Sequence, residues 1–304
     1  MEESHEQAQD RKAKRIAFIN SINKIDFFDP RKPWIVVPNG SFMGYFNWVP
    51  KRLRVGPWSP FPIAVLACVA YFIVINRPPV LLLLSTQNGQ LVYHFPEAFS
   101  IMWYYNFFGF LWMCYVISCF PTLFVLVSFT MFSWLIMTIR HGISALAPFL
   151  EPDIYQSHAA ILQLHELLRF WVLVSAIITF TVWNFLLAPL VYFILMNTQT
   201  QKKRFLKWAV SFEVFQVQVM VIVFAFLNTI TSVEGNLLFT FSDLWFALMM
   251  HEIYAVFYVS FLDRFGVHLY PIFSPRTHFA AISYGFVFSM LYTAQKCANN
   301  ILSM

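Results

Sequence analysis

Apolar residues in this chain gather into long blocks, without the alternation that marks barrel strands. The blocks lie at about 61–76 (which "VLLLL" at 80–84 can extend), 98–119, 121–139, 167–196, 206–230, 238–262 and 277–295. A helix needs about 20 apolar residues to cross the hydrocarbon core, and several blocks reach that length. In lipid every backbone group must be satisfied within its own segment, so helices are the expected spans. The stretch 98–139 is too long for one crossing and is punctuated only by Pro121, so it reads as two helices joined by a very tight turn. The pattern predicts an all-α, polytopic membrane bundle of about seven transmembrane helices over 61–304, preceded by a basic segment over 1–60.

Composition agrees with that class. Hydrophobic residues make up 59% of the 304 and charged residues 12%, with a mean hydropathy of +0.62. A soluble domain of this size exposes more polar surface than so few charges can supply. Ten of the 20 Lys and Arg residues fall within 1–60, and no apolar run opens the chain, so no cleavable signal peptide is expected. "QDRKAKRIAFINSINKI" at 9–25 has the pattern of a basic helix lying on anionic lipid, although a solvated tail that sets topology is the simpler reading. With this tail in the cytosol, "QKKRFLK" at 201–207 and the basic residues of 263–276 fall on the same side. Arg77, Arg140 and Lys296 then face the other side. That asymmetry follows the positive-inside rule and predicts a cytosolic N-terminus. It is the reverse of a G-protein-coupled receptor. An integral membrane location follows, with endoplasmic reticulum, other endomembrane and plasma membrane all left open.

Chemical motifs are sparse. Cys68, Cys114, Cys119 and Cys297 form no CxxC pair and have no histidine at metal-ligand spacing, so neither a structural disulfide nor a metal site is expected. The nine glycines build no GxGxxG or phosphate loop, and GxSxG, HxxxH and HExxH are absent, so no cofactor or nucleic-acid partner is predicted. Polar residues inside or near the blocks are His165, Glu166, Arg169, Glu213, Gln216, Gln218, Asp243, His251 and Glu252. A charge at the bilayer centre costs several kcal/mol, so each needs a partner or a cavity. In "LHELLRFW" the i, i+3 and i, i+4 pairs can close within one helix start, which reads as interfacial anchoring. "MMHEIYAVFYV" at 249–259 sets His251 beside Glu252 in an apolar run. Their expected roles are hydrogen bonding between helices or proton transfer.

"LLRFW" at 167–171, "GVHLYPIF" at 266–273, Tyr254 in the span before it and the terminal "ANN" together resemble the androgen-induced / androgen-dependent TFPI-regulating protein family over roughly 164–300. These are multi-pass membrane threonine hydrolases of fatty acid esters of hydroxy fatty acids. The resemblance implies a lipid-ester substrate and membrane lipids as partners, with protein partners unknown. It implies Thr122, in "CFPTLF", as the nucleophile, although "WYYNFF" at 103–108 is a rival match that carries no threonine. Where the family has its histidine, this chain has Gln216 or Gln218, and an amide cannot serve as a general base. An active enzyme would then draw its base from His251, with Gln216, Gln218 and Glu252 around the substrate. The alternatives are a member of the fold that has lost its reaction, a transporter or channel component, and an accessory membrane subunit.

Overall fold

The computed structural model describes residues 57–78, 86–87, 90–91, 95–120, 122–149, 159–196, 198–231, 238–265, 267 and 269–303. Most of the basic segment expected over 1–60, including the helix proposed for 9–25, lies outside them. The described chain is helical apart from one two-stranded ladder, in which β1 (Thr86–Gln87) pairs antiparallel with β2 (Gln90–Leu91). Among the described residues, three helices are long and apolar enough to cross a membrane: Leu164–Ile194, Phe212–Thr231 and Phe241–Asp263. They coincide with three of the predicted blocks. Helix α1 (Pro60–Ile75) is equally apolar but shorter.

Helix α2 (Ile101–Ser118) starts at Ser100, whose hydroxyl accepts from the Trp103 backbone N–H at 3.2 Å. A short helix, α3 (Thr122–Val127), follows it, and α4 (Phe129–Leu146) then returns along α2. The two-helix reading of 98–139 holds for α2, but the expected very tight turn at Pro121 is a longer connection that contains α3, and the second arm runs Phe129–Leu146 instead of 121–139. Close approach is possible because small residues meet large ones. A Cβ on Gly109 would lie 3.2 Å from the His141 ring, and one on Gly142 would lie 3.1 Å from Phe110.

Helix α5 (Ala159–Thr181) continues through two wide π-helical stretches, Val182–Leu187 and Val191–Leu195. Helix α6 (Gln199–Ala209) begins with a capping box, in which Thr198 accepts from Gln201 N and Gln201 accepts from Thr198 N. Ser211 then caps α7, which runs from Phe212–Phe215 through the π stretch Gln216–Met220 and on over Val221–Thr231. The predicted block 206–230 therefore divides: residues 206–209 belong to α6, and the span starts after the Ser211 cap. Helix α8 (Phe241–Phe257) extends as a π stretch to Asp263, and α9 (Phe279–Leu302) closes the described chain.

The chain forms two compact units, Met1–Leu66 with Ala255–Tyr284, and Ala67–Tyr254 with Gly285–Met304. In the first, the Asp263 carboxylate sits 2.8 Å from Arg276 Nη2, with both side chains fully buried. It also accepts from Trp58 Nε1 at 2.9 Å and Ser274 Oγ at 3.3 Å. The "YPIF" stretch is held from both sides, since Tyr258 donates to Tyr270 O and Tyr284 donates to Phe273 O. In the second unit, α4, α5 and α7 pack on one another and α2 lies against α4 and α7. Interhelical hydrogen bonds seat the other helices of this unit. Trp245 donates to Ile73 O, Tyr254 donates to Val127 O, and Gln295 and Asn299 hold the Phe239–Thr240 turn.

Candidate functional site

Polar side chains from α2, α4, α5 and α7 converge in the interior of the second unit. Residues four apart on a helix share a face, which sets Arg140 above Ser144 on α4 and His165 above Arg169 on α5. The two faces meet. Ser144 Oγ lies 3.0 Å from His165 Nε2, and Arg140 Nε donates to the His165 backbone carbonyl at 3.0 Å. Arg140 Nη1 donates to Asn228 Oδ1 at 2.6 Å, a short bond of the charge-assisted kind. Asn228 Nδ2 reaches Asn106 Oδ1 at 3.4 Å, and that same oxygen is 2.9 Å from His141 Nδ1. Asn106 in turn donates to Met102 O and Thr231 O. Asn106, Arg140, His141, Ser144, His165 and Asn228 are all fully buried.

Arg169 borders this network at 2% exposure. Its Nη2 pairs with Glu166 at 3.0 Å, and its guanidinium lies 4.8 Å from the centre of the Phe239 ring. Among the described residues, Arg169 Nε and Nη1, Glu166 Oε2 and His165 Nδ1 are buried with no hydrogen-bond partner. Buried polar atoms of that sort are uncommon, and four of them on the first turns of one helix mark it out. Phe95 stands edge-on to the His165 ring at 5.2 Å.

A groove of about 440 Å³ lies beside the far end of the network, lined by Ile101, Tyr104, Tyr105, Phe108, Gly109, Trp112 and Phe224. Gly109 backs onto His141, and Tyr105 meets the same ring edge-on at 5.4 Å while donating to Phe224 O. Neither Ser144 nor His165 lines the groove.

The residues singled out from the sequence are distributed differently. Thr122 opens α3, and its side chain is not among those described. His251 is buried on α8 and donates from Nδ1 to Ala247 O at 2.7 Å. Its ring lies 5.2 Å from Phe129 and 6.3 Å from Trp171, and its Nε2 has no hydrogen-bond partner. Both carboxylate oxygens of buried Glu252 are likewise without a hydrogen-bond partner among the described residues. Gln216 Oε1 accepts from Trp112 Nε1 at 3.4 Å, and the Gln218 carbonyl accepts from Asn184 Nδ2 at 3.3 Å. These contacts and those of His251 have no residue in common.

Two sequence readings are corrected here. Arg140, which the hydropathy pattern places outside the spans, is inside α4 and fully buried. The "LHELLRFW" cluster closes locally only through Glu166 and Arg169, while His165 turns to Ser144. Asn106, His141, Ser144 and Asn228 were not anticipated. The available signal was "RHGIS" at 140–144, which puts a basic residue and a hydroxyl on one face of an apolar helix. No family model, curated protein or solved structure matches the chain. Among the described residues, no group of three or more His, Cys, Asp or Glu side chains is placed to hold a metal ion.

Proposed function

We propose that this chain is a multi-pass membrane protein of about seven spans with a cytosolic N-terminus, and that it cleaves lipid esters with Ser144 as nucleophile and His165 as base. One observation carries the reading: a hydroxyl and an imidazole nitrogen 3.0 Å apart, both fully buried where α4 meets α5. With its own proton on Nδ1, His165 accepts the Ser144 proton at Nε2 as Oγ attacks the ester carbonyl. Negative charge then develops on the carbonyl oxygen. Arg169, one turn along from His165 with two N–H groups not engaged in hydrogen bonds, is the cation to receive it. Collapse breaks the ester C–O bond, and the alcohol leaves with the proton from His165. Water, losing a proton to His165, then releases the fatty acid and restores the Ser144 hydroxyl. The stretches that resemble motifs of the lipid-ester threonine hydrolases support the substrate class, with serine in place of threonine. Thr122 with His251, served by Gln216, Gln218 and Glu252, is the rival assignment within the same function.

A second reading, binding of a lipid without turnover, is favoured by the aromatic groove, which reaches His141 through Gly109 but not Ser144. The full chain, reconstituted in vesicles and treated with a fluorophosphonate probe and a long-chain ester, separates these readings. Ser144→Ala should abolish labelling and turnover, and His165→Gln should lower turnover by about 10²–10⁴. Labelling that survives Ser144→Ala refutes the assignment, and loss of labelling in Thr122→Ala instead favours the rival pair. A wild-type chain that holds the ester without cleaving it leaves the binding reading.

A further inference from the structure

Helix α6 joins two of the helices able to cross a membrane, yet it is itself amphipathic and strongly basic. Lys202, Lys203, Arg204 and Lys207 lie within it, and no acidic residue occurs between Met196 and Phe212. Lys203 and Lys207 are one turn apart on a single exposed face. Phe205 and Trp208 occupy the opposite side and pack toward Trp183 of the α5 extension, with ring centres 6.5 and 5.6 Å away. Lys202 extends over the Tyr192 ring at 5.3 Å. These contacts anchor α6 to the end of one span, and Ser211 starts the next span immediately after it.

An apolar ledge accompanies the charges. Leu206, Trp208, Val210 and Phe212 are 46%, 45%, 72% and 46% exposed. Among the described residues none of the four cations forms an ion pair.

We propose that α6 is an interfacial helix that binds the anionic phospholipid headgroups of one leaflet. This rests on the membrane reading above and is independent of the hydrolase assignment. The flanking spans hold α6 at the depth where hydrocarbon gives way to headgroups. There the apolar ledge enters the acyl boundary, and the long basic side chains reach outward to phosphate and carboxylate groups. A soluble acidic protein would satisfy the charges but leave Leu206, Val210 and Phe212 facing water, so the lipid surface is the better fit.

The test uses the full chain in phosphatidylcholine vesicles containing either spin-labelled phosphatidylserine or spin-labelled phosphatidylcholine. The ratio of their motionally restricted fractions gives the lipid selectivity. Phosphatidylserine is expected to be preferred, and added salt should weaken the preference. Lys203→Gln with Lys207→Gln should reduce it, by up to about fivefold for each cation removed, while leaving the circular dichroism unchanged. Equal restriction of both lipids by the wild-type chain overturns the proposal, as does a variant with unchanged selectivity. Salt-sensitive capture of polyaspartate without lipid selectivity would assign the face to a protein and also overturn it. A chain that alkaline carbonate strips from vesicles refutes the membrane reading itself, whereas one that is retained but unselective refutes only this proposal.

Discussion

Asn228 is the link through which α7 joins the buried network, and replacing it by leucine tests whether that network holds the helices together. The substitution removes the acceptor for Arg140 Nη1 at 2.6 Å and the longer contact to Asn106 at 3.4 Å. A hydrogen bond to a charged group contributes about 1.5–3 kcal/mol. A neutral bond between membrane helices averages only about 0.6 kcal/mol, so the arginine bond dominates. Leucine has the same branched outline and leaves no cavity, and its greater bulk can only add to the loss. The expected loss is therefore at least about 2–3.5 kcal/mol, corresponding to roughly 3–6 °C in the melting midpoint. Thermal unfolding of the detergent-solubilised chain, followed by tryptophan fluorescence, measures it. Asn228→Asp keeps an oxygen acceptor for the guanidinium and should stay within about 1 kcal/mol of the wild type. If Asn228→Leu lies within about 0.5 kcal/mol of the wild type, in the range of an ordinary surface change, the network does not stabilise the fold and the reasoning fails.

In the first unit, Asp263→Leu leaves the buried Arg276 without its carboxylate and should cost about 3–5 kcal/mol in the same melt. Adding Arg276→Met should restore most of that loss, and a double variant no better than the single one would show that the pair is not coupled. His251→Gln retains an N–H donor for the Ala247 carbonyl, so stability should change by less than about 1 kcal/mol and ester turnover should be unaffected. Lost turnover with an intact melting curve would return the catalytic role to His251.

The long apolar blocks of α5, α7 and α8 were legible because a run of that length has only one inexpensive solution in lipid, a continuous helix. The α2–α4 hairpin was legible for a related reason, since 98–139 exceeds one crossing and contains a proline. Its far end was not. Arg140 stands where the apolar block thins out, and sequence spacing alone assigns such a charge to a loop. Two buried acceptors on neighbouring helices, the His165 carbonyl and Asn228 Oδ1, hold it inside α4.

The candidate site shows the same division. Spacing identified the Glu166–Arg169 contact, because residues three apart on a helix are neighbours whatever surrounds them. It could not identify Ser144 with His165, which lie 21 residues apart on different helices. Nor could it show that Glu252 finds no hydrogen-bond partner beside His251, although the two are adjacent in the chain. Helix formation in an apolar stretch is a local matter of backbone bonds and side-chain periodicity, and the sequence by itself determined it. Which polar faces meet depends on how the helices rotate and pack against one another, and only the tertiary structure decided that.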